Sequence, residues 1–403
     1  MQKPLTIITL LGIRPDIIRM FKLIKLLDEG QTAHGYKHIF CHTGQHFDHE
    51  LDTVFYKELG VRSPDWNMNV GITLKERGGQ TTYAQQVALM YEKTSEMIET
   101  FKPDMVLYLG DTNTVLSSVI VARAGVPVVH IEAGGRSFDW RMPEEKCRTI
   151  IDHLSDAFYC YTSRHKENLL SEGIPENRIR VIGNIIYDAI DAFLPIADKS
   201  LALETLQLEK KGYALVTLHR EENITQKDIL TEKINGLITL SEEMPVVFPL
   251  MPRVRSNLQK YNLLPQLENS KVTITKPLGY LDFLKLQQEA KLIITDSGTV
   301  QEEACILGVP ALICRLSTER PETIQIGASI LAHSDLYANA KKALALGTNW
   351  DRMIMNEEGG SPSEKIYADL VVKLQTNYFG TVRNLENLPI TKNIQEAYGN
   401  FNS

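Results

Sequence analysis

Short apolar runs alternate with amphipathic stretches along almost the whole chain, and this alternation constrains the fold more than any other feature. Each run suits a strand buried on both faces, and the amphipathic segments between them suit helices, which is the pattern of parallel βαβ units. In the first half, strands are expected near 4–11, 38–43, 105–110, 126–132, 157–162 and 179–183, with helices near 15–29, 80–101, 114–124, 143–154 and 163–172. A second series starts at Tyr213-Ala214-Leu215-Val216-Thr217-Leu218. It continues with Val246-Val247-Phe248, Val272-Thr273-Ile274, Leu292-Ile293-Ile294 and Ala311-Leu312-Ile313. The stretch between, roughly 190–212, is charged and lacks a strand. The expected architecture is therefore α/β, with two doubly wound Rossmann-like domains facing a cleft, over 1–190 and 191–377. A length of 403 residues is too great for one ordinary core, in keeping with two domains. Residues 350–364, rich in Gly, Ser and charge, read as a loop before one or two closing helices.

Charge and cysteine usage narrow the class. A formal net charge of −7 argues against a nucleic-acid or anionic-membrane surface. The five cysteines (Cys41, Cys147, Cys160, Cys305, Cys314) are scattered without C-x-x-C spacing, as expected of reduced thiols in a cytoplasmic protein. The run Leu5 to Leu11 is too short to span a bilayer and ends in Gly12-Ile13-Arg14-Pro15 rather than a cleavage site, so it reads as the first strand.

Chemistry-bearing residues concentrate between Asp111 and Arg148. Met105-Val106-Leu107-Tyr108-Leu109-Gly110 leads into Asp111, and Val126-Pro127-Val128-Val129-His130-Ile131 leads into Glu132. Neighbouring parallel strands bring their carboxyl ends to the edge where α/β sheets bind ligands, so both carboxylates are expected at one crevice. Glu144 opens the next helix, with Arg148 one turn later on the same face. Each has a plainer reading: Asp111 as a helix N-cap, and the pair Glu144 and Glu145 as complements to a helix dipole. Glu132, ending so apolar a strand, needs a partner, for which Arg136, Arg141 and Arg148 are the nearby candidates.

Other motifs sit at strand-to-helix turns. In Gly12-Ile13-Arg14-Pro15-Asp16-Ile17-Ile18-Arg19, glycine permits a tight turn, Pro15 suits a helix start, and Arg14 can hold a diphosphate. His219 follows a strand in Leu218-His219-Arg220-Glu221-Glu222-Asn223, as a ligand or acid/base candidate. In Thr295-Asp296-Ser297-Gly298-Thr299, a helix beginning after Ser297-Gly298 offers backbone N–H groups to phosphate. Glu303, further into that helix, can take two ribose hydroxyls or simply be solvated. Thr318-Glu319-Arg320-Pro321-Glu322 places Arg320 beside a turn near the same edge. The histidines of His42-Thr43-Gly44-Gln45-His46-Phe47-Asp48-His49 match no recognised zinc spacing, so no metal is expected. No Walker A, G-x-G-x-x-G or nucleophile elbow is present.

Taken in order from Gly12 to Glu322, these motifs resemble the non-hydrolysing UDP-N-acetylglucosamine 2-epimerase family. The likeness is carried by Gly12-x-Arg14-Pro15, Gly44-Gln45-His46, Gly110-Asp111-Thr112, His130-x-Glu132-Ala133-Gly134, Pro143-Glu144-Glu145-x-x-Arg148, His219-Arg220-Glu221, Asp296-Ser297-Gly298 and Thr318-Glu319-Arg320-Pro321-Glu322. It implies a glycosyltransferase-B-like fold, no metal or redox cofactor, a homodimer, and a last helix, 378–403, that packs back on the N-terminal domain. It also implies that UDP is eliminated from C1–C2 of the sugar to a 2-acetamidoglycal and added back after C2 is protonated from the opposite face.

By matching motifs, Asp111, Glu132 and Glu144 become acid/base candidates, with Arg148 and His219 around the diphosphate and leaving oxygen. Arg14, Gln45, His46, Ser297, Gly298, Glu303 and Arg320 become substrate contacts. The chain departs from the common pattern at Ile13, Asp16, Arg19, Cys147, Met251, Thr299 and Leu316, and Asn69 to Gln80 lacks the usual Gly-Gln-rich loop. Interconversion of UDP-GlcNAc and UDP-ManNAc for surface polysaccharide supply is the leading expectation. The others are 2-epimerisation of a 6-deoxy-acetamidohexose or diacetamido-uronate, a hydrolysing epimerase releasing ManNAc, a glycosyltransferase, and a non-catalytic UDP-sugar sensor.

Overall fold

Residues 4–44, 56, 60–78 and 82–382 are described by the computed structural model. Among them the strands form two all-parallel sheets, one in each of two compact units, Met1–Asp188 with Glu358–Ser403, and Ala189–Glu357. The fold is α/β with two Rossmann-like domains.

The first sheet is built from β1 (Leu5–Leu11), β2 (Tyr36–His42), β3 (Trp66–Asn67), β4 (Met105–Leu109), β5 (Val128–Ile131), β6 (Ala157–Cys160) and β7 (Ile179–Val181), in the order β3-β2-β1-β4-β5-β6-β7. The central strands β4, β5 and β6 are buried along their whole length because helices cover both faces. Ile8, Leu10, Val106, Tyr108 and Val128 pack on one face against Met90, Met97, Val115, Val121 and Ile151. The second sheet contains β8 (Ala214–Thr217), β9 (Val246–Pro249), β10 (Val272–Thr275), β11 (Leu292–Thr295), β12 (Ala311–Ile313) and β13 (Ser329–Leu331), ordered β10-β9-β8-β11-β12-β13. In both sheets the order reverses once, between β1 and β4 and between β8 and β11. Such a switch point splays the connecting helices apart and opens a crevice beyond the strands' carboxyl ends.

Register fixes what lies there. Thr9 pairs with Leu107 and Leu109 with Ile131, so the chain after β1, β4 and β5 emerges at one edge as Gly12, Gly110-Asp111 and Glu132. Thr217 pairs with Thr295, which brings His219 and Asp296 to the corresponding edge of the second sheet. Gly12 is required here for close approach: a Cβ on it would sit 1.8 Å from Thr114 Oγ1.

A buried polar bridge holds the β4–β5 edge. His130 Nδ1 lies 2.6 Å from Asp152 Oδ1 and its Nε2 lies 2.9 Å from the Gly110 carbonyl. Asp152, in the Pro143–Leu154 helix, also accepts from the Gly134 amide at 3.2 Å and pairs with Arg136 Nη1 at 2.7 Å. Burial alone would raise the Asp152 carboxyl, but His130 and Arg136 outweigh it and hold it below the ordinary range.

Some elements differ from expectation. The helix expected at 114–124 opens as a tighter 3-10 turn, Asn113–Ser117, and becomes α-helical only over Ser118–Arg123. β3 and β13 are two and three residues long, too short to register as apolar runs. The return to the first unit comes earlier than 378. The Pro362–Gln375 helix packs on the Arg14–His34 helix, with the Ser363 amide donating to Asp188 at 2.8 Å and Tyr159 hydroxyl donating to Asp369 at 2.8 Å. The expected second domain, 191–377, includes this helix, but it belongs to the first unit; its apolar face, Ile366 and Leu370, would suit either core. Of the expected 378–403 helix, Tyr378–Val382 is helical and the remainder lies outside the described residues. No described helix is long and apolar enough to cross a membrane.

Asp152→Ala leaves Arg136 and His130 without their buried partner and should destabilise the first unit by about 3–5 kcal/mol. Urea unfolding followed by fluorescence checks this; an unchanged midpoint would show that the bridge is not structural.

Candidate active site

Two arginines on two helices meet the strand-end carboxylates of the first sheet. Asp111 leaves β4 beside Arg148, whose Nη1 donates to Asp111 Oδ2. The N-cap of the following 3-10 turn is Thr112, so the capping reading of Asp111 does not describe its side chain. Glu132 leaves β5 in a left-handed conformation, φ 69°, that a β-carbon tolerates poorly, and accepts from Arg19 Nη1. Gly110, also left-handed at φ 66°, lies against it: a Cβ there would be 3.0 Å from Glu132 Oε2 and 3.4 Å from Arg19 Nη2.

Arg19 was not among the expected partners of Glu132. Arg136 pairs instead with Asp152 and Glu172, Arg141 with Asp139 on the surface, and Arg148 with Asp111 and Glu145. No local pattern marks this pair: Arg19 follows β1 and meets Glu132 only because the sheet order places β4 and β5 next to β1.

Glu144 stands half-buried in the first turn of the Pro143–Leu154 helix. It lies close enough to Asp111 for both charges to bear on the Cys147 thiol, which burial, Asp111 and Glu144 together push up to about 12. The first unit thus brings Asp111 onto Arg148 and Glu132 onto Arg19, with Glu144 on the same helix as Arg148. Arg14 is half-buried at the start of its helix. Gln45 and His46 lie outside the described residues. Neighbouring His42 is buried, and its Nδ1 accepts from the Gly44 amide at 3.1 Å.

The second unit builds a different kind of site. Asp296, fully buried at the end of β11, accepts from the backbone amides of His219 at 3.0 Å and Arg220 at 2.9 Å, and from Asn223 Nδ2 at 2.9 Å. It also bonds His219 Nδ1 at 2.9 Å. Burial would raise Asp296, but His219, Asn223 and the Arg220 amide hold it below the ordinary carboxylate range. With Nδ1 committed, Nε2 is the nitrogen of the half-exposed His219 ring that remains to meet a ligand. Asp296 ended its strand in the sequence with no role assigned; its alignment with His219 across β8 and β11 supplies one.

Ser297 caps the Gly298–Leu307 helix, its hydroxyl accepting from the Val300 amide at 3.4 Å. That amino end is a positive pole with N–H groups available to an anion. Gly298 is needed because a Cβ would be 2.8 Å from Arg320 Nη1. Arg320 is buried and ion-paired with Glu302 at 2.6 Å and with Glu319. Glu303 is not the solvated helix residue of the plainer reading. It is 3 % exposed, accepting from Tyr280 hydroxyl at 3.2 Å and Gln287 Nε2 at 2.8 Å.

The chain is similar to known proteins over most of its length. The sequence profile described as UDP-N-acetylglucosamine 2-epimerase matches residues 28–366. The UDP-N-acetylglucosamine 2-epimerase of Methanocaldococcus jannaschii is 40 % identical over 365 residues, 89 % of this chain and 96 % of that protein. A crystal structure of the M. jannaschii UDP-GlcNAc 2-epimerase, in complex with UDP-GlcNAc and UDP, aligns with TM-score 0.82, covering 91 % of this chain and 99 % of that one. The UDP-2,3-diacetamido-2,3-dideoxy-D-glucuronate 2-epimerase of Pseudomonas aeruginosa is 34 % identical over 375 residues, 91 % of this chain and 99 % of that protein. With the profile matched over most of its length and relatives this similar covered almost end to end, the chain belongs to the UDP-N-acetylglucosamine 2-epimerase family.

Proposed function

We propose that this chain interconverts UDP-GlcNAc and UDP-ManNAc without net hydrolysis. The supporting observation is that Asp111 meets Arg148 and Glu132 meets Arg19 at the switch point of the first sheet, with Glu144 in the first turn of the Arg148 helix, in a member of this family. The C2–H of the sugar is poorly acidic, so cleavage of C1–O leads. The bonding pair leaves with the β-phosphate oxygen of UDP, a carboxylate takes the C2 proton, and C1 and C2 become doubly bonded. A second carboxylic acid then delivers a proton to the opposite face of C2, and the UDP oxygen returns to C1. Two positioned carboxyl groups meet that demand, and cations stabilise the departing diphosphate.

In the second unit, His219 Nε2 and the amino end of the Gly298–Leu307 helix, with Ser297 and Gly298, suit a diphosphate. Glu303, held by Tyr280 and Gln287, suits ribose hydroxyls. In the first unit, Arg14 at its helix start is a candidate for binding a phosphate group. Arg320 supports the Gly298 turn while paired to Glu302 and Glu319. No metal or redox cofactor enters the reaction. The enzyme works as a cytoplasmic homodimer supplying a surface-polysaccharide precursor. A second reading, epimerisation of a diacetamido-uronate, draws support from the similarity to the P. aeruginosa enzyme.

Incubation with UDP-GlcNAc in deuterium oxide should give manno signals carrying deuterium at C2 by proton NMR. Free ManNAc would identify a hydrolysing enzyme, and turnover of the UDP-diacetamido-uronate alone would establish the second reading. Asp111→Asn, Glu132→Gln and Glu144→Gln should each lower kcat by at least about a hundredfold, the scale of general acid–base groups. Near-wild-type turnover in all three would contradict the proposal.

A further inference from the structure

The two strand-end carboxylates are held by the same device, built twice. In the Arg14–His34 helix, Asp16 is the third residue and Arg19 the sixth; in the Pro143–Leu154 helix, Glu145 is the third and Arg148 the sixth. Asp16 Oδ1 accepts from Arg19 Nη2 at 2.8 Å, while Nη1 of the same guanidinium donates to Glu132. Glu145 Oε2 accepts from Arg148 Nη2 at 2.8 Å and Nε at 3.1 Å, while Nη1 donates to Asp111. Each strand-end carboxylate therefore shares its arginine with a more deeply buried acid on the arginine's own helix. Asp16 is 1 % exposed and Glu145 3 %.

The copies differ in what else the buried acid receives. Glu145 also accepts from the Ser137 amide and hydroxyl, both at 3.0 Å, and from the Phe138 amide at 2.9 Å. The side-chain hydrogen bond to Asp16 comes from Arg19. We propose that Asp16 and Glu145 are positioning residues that share the charge of Arg19 and Arg148 with Glu132 and Asp111, and that their unequal hydrogen bonding makes the two guanidiniums unequal partners for those strand-end carboxylates. This rests on the reading of Glu132 and Asp111 as proton-transfer groups.

The electrostatics follow from that geometry. Burial would raise Glu145, but the Ser137 amide, Arg148 and the Phe138 amide outweigh it and keep it below the ordinary range, so at neutral pH its carboxylate draws on Arg148. Burial raises Asp16 from 3.8 to about 6 against the pull of Arg19, with Glu132 after β5 and Asp111 after β4 adding repulsion. Below pH 6 Asp16 holds a proton and draws less on Arg19; above pH 6 its carboxylate competes with Glu132 for that guanidinium. An epimerase benefits from such inequality, because one face of C2 must lose a proton while the other receives one.

The test is the pH dependence of kcat and KM for wild type, Asp16→Asn, Asp16→Glu and Glu145→Gln, with Glu132→Gln and Asp111→Asn as references. Asp16→Asn should lose the ionisation near pH 6 and, at pH 8, show kcat lowered about tenfold, the effect of a one-unit change in basicity, with KM little altered. Asp16→Glu should restore the ionisation, and Glu145→Gln should lower kcat while keeping it. A carboxyl raised by folding is stabilising only when protonated, so its ionised form is a burden at pH 8 and Asp16→Asn should not lower Tm there. Retention of the wild-type pH profile in Asp16→Asn, or loss of kcat together with Tm, would overturn the inference. Fully active Glu132→Gln and Asp111→Asn would remove the reading beneath it. If those two are inactive while Asp16→Asn and Glu145→Gln behave as wild type, this inference alone fails.

Discussion

Two buried guanidiniums set the terms for the first unit. Arg19 and Arg148 lie between carboxylates from different parts of the chain, and each bonds one from its own helix and one from a strand end. Carboxylates this close and this shielded from water repel one another strongly unless a cation separates them. The arginine fork, with donors on several nitrogens in one plane, can serve two acids at once, which a single lysine ammonium does less well. Removing either guanidinium would leave uncompensated buried charge at the carboxyl edge of the sheet.

The second unit uses a different economy of charge. Asp296 is surrounded by backbone amides, an asparagine and a histidine, which orient His219 from behind while leaving its ring half exposed. Glu302, Glu319, Arg315 and Arg320 form a buried ion-pair group near the amino end of the Gly298–Leu307 helix. The first unit gathers acids fit to move a proton, whereas the second gathers donors fit to hold an anion. That division matches a reaction in which the leaving group is a nucleoside diphosphate and the bond changes occur on the sugar.

Local pattern made much of this legible. Leu5–Leu11, Met105–Leu109 and Val128–Ile131 stand out as buried strands, and their ends mark where Asp111 and Glu132 must lie. Spacing within one helix also showed that Glu144 and Arg148 share a face. The partner of Glu132 was not legible, because Arg19 is distant in sequence and meets it only through the order β1-β4-β5. The same limit applies to Glu303, whose burial depends on Tyr280 and Gln287 from the preceding helix. It applies again to the Pro362–Gln375 helix, whose amphipathic face does not say which core it joins. Tertiary partners, rather than elements, were what the sequence withheld.

The central claim is that C1–O breaks while UDP stays bound and a carboxylate moves the C2 proton. Positional isotope exchange tests it directly, using UDP-GlcNAc with oxygen-18 in the bridge between C1 and the β-phosphorus. Scrambling of the label into the non-bridging β-phosphate positions, with deuterium entering C2 in deuterium oxide, is the predicted result. Epimerisation with the label fixed in the bridge would contradict the account.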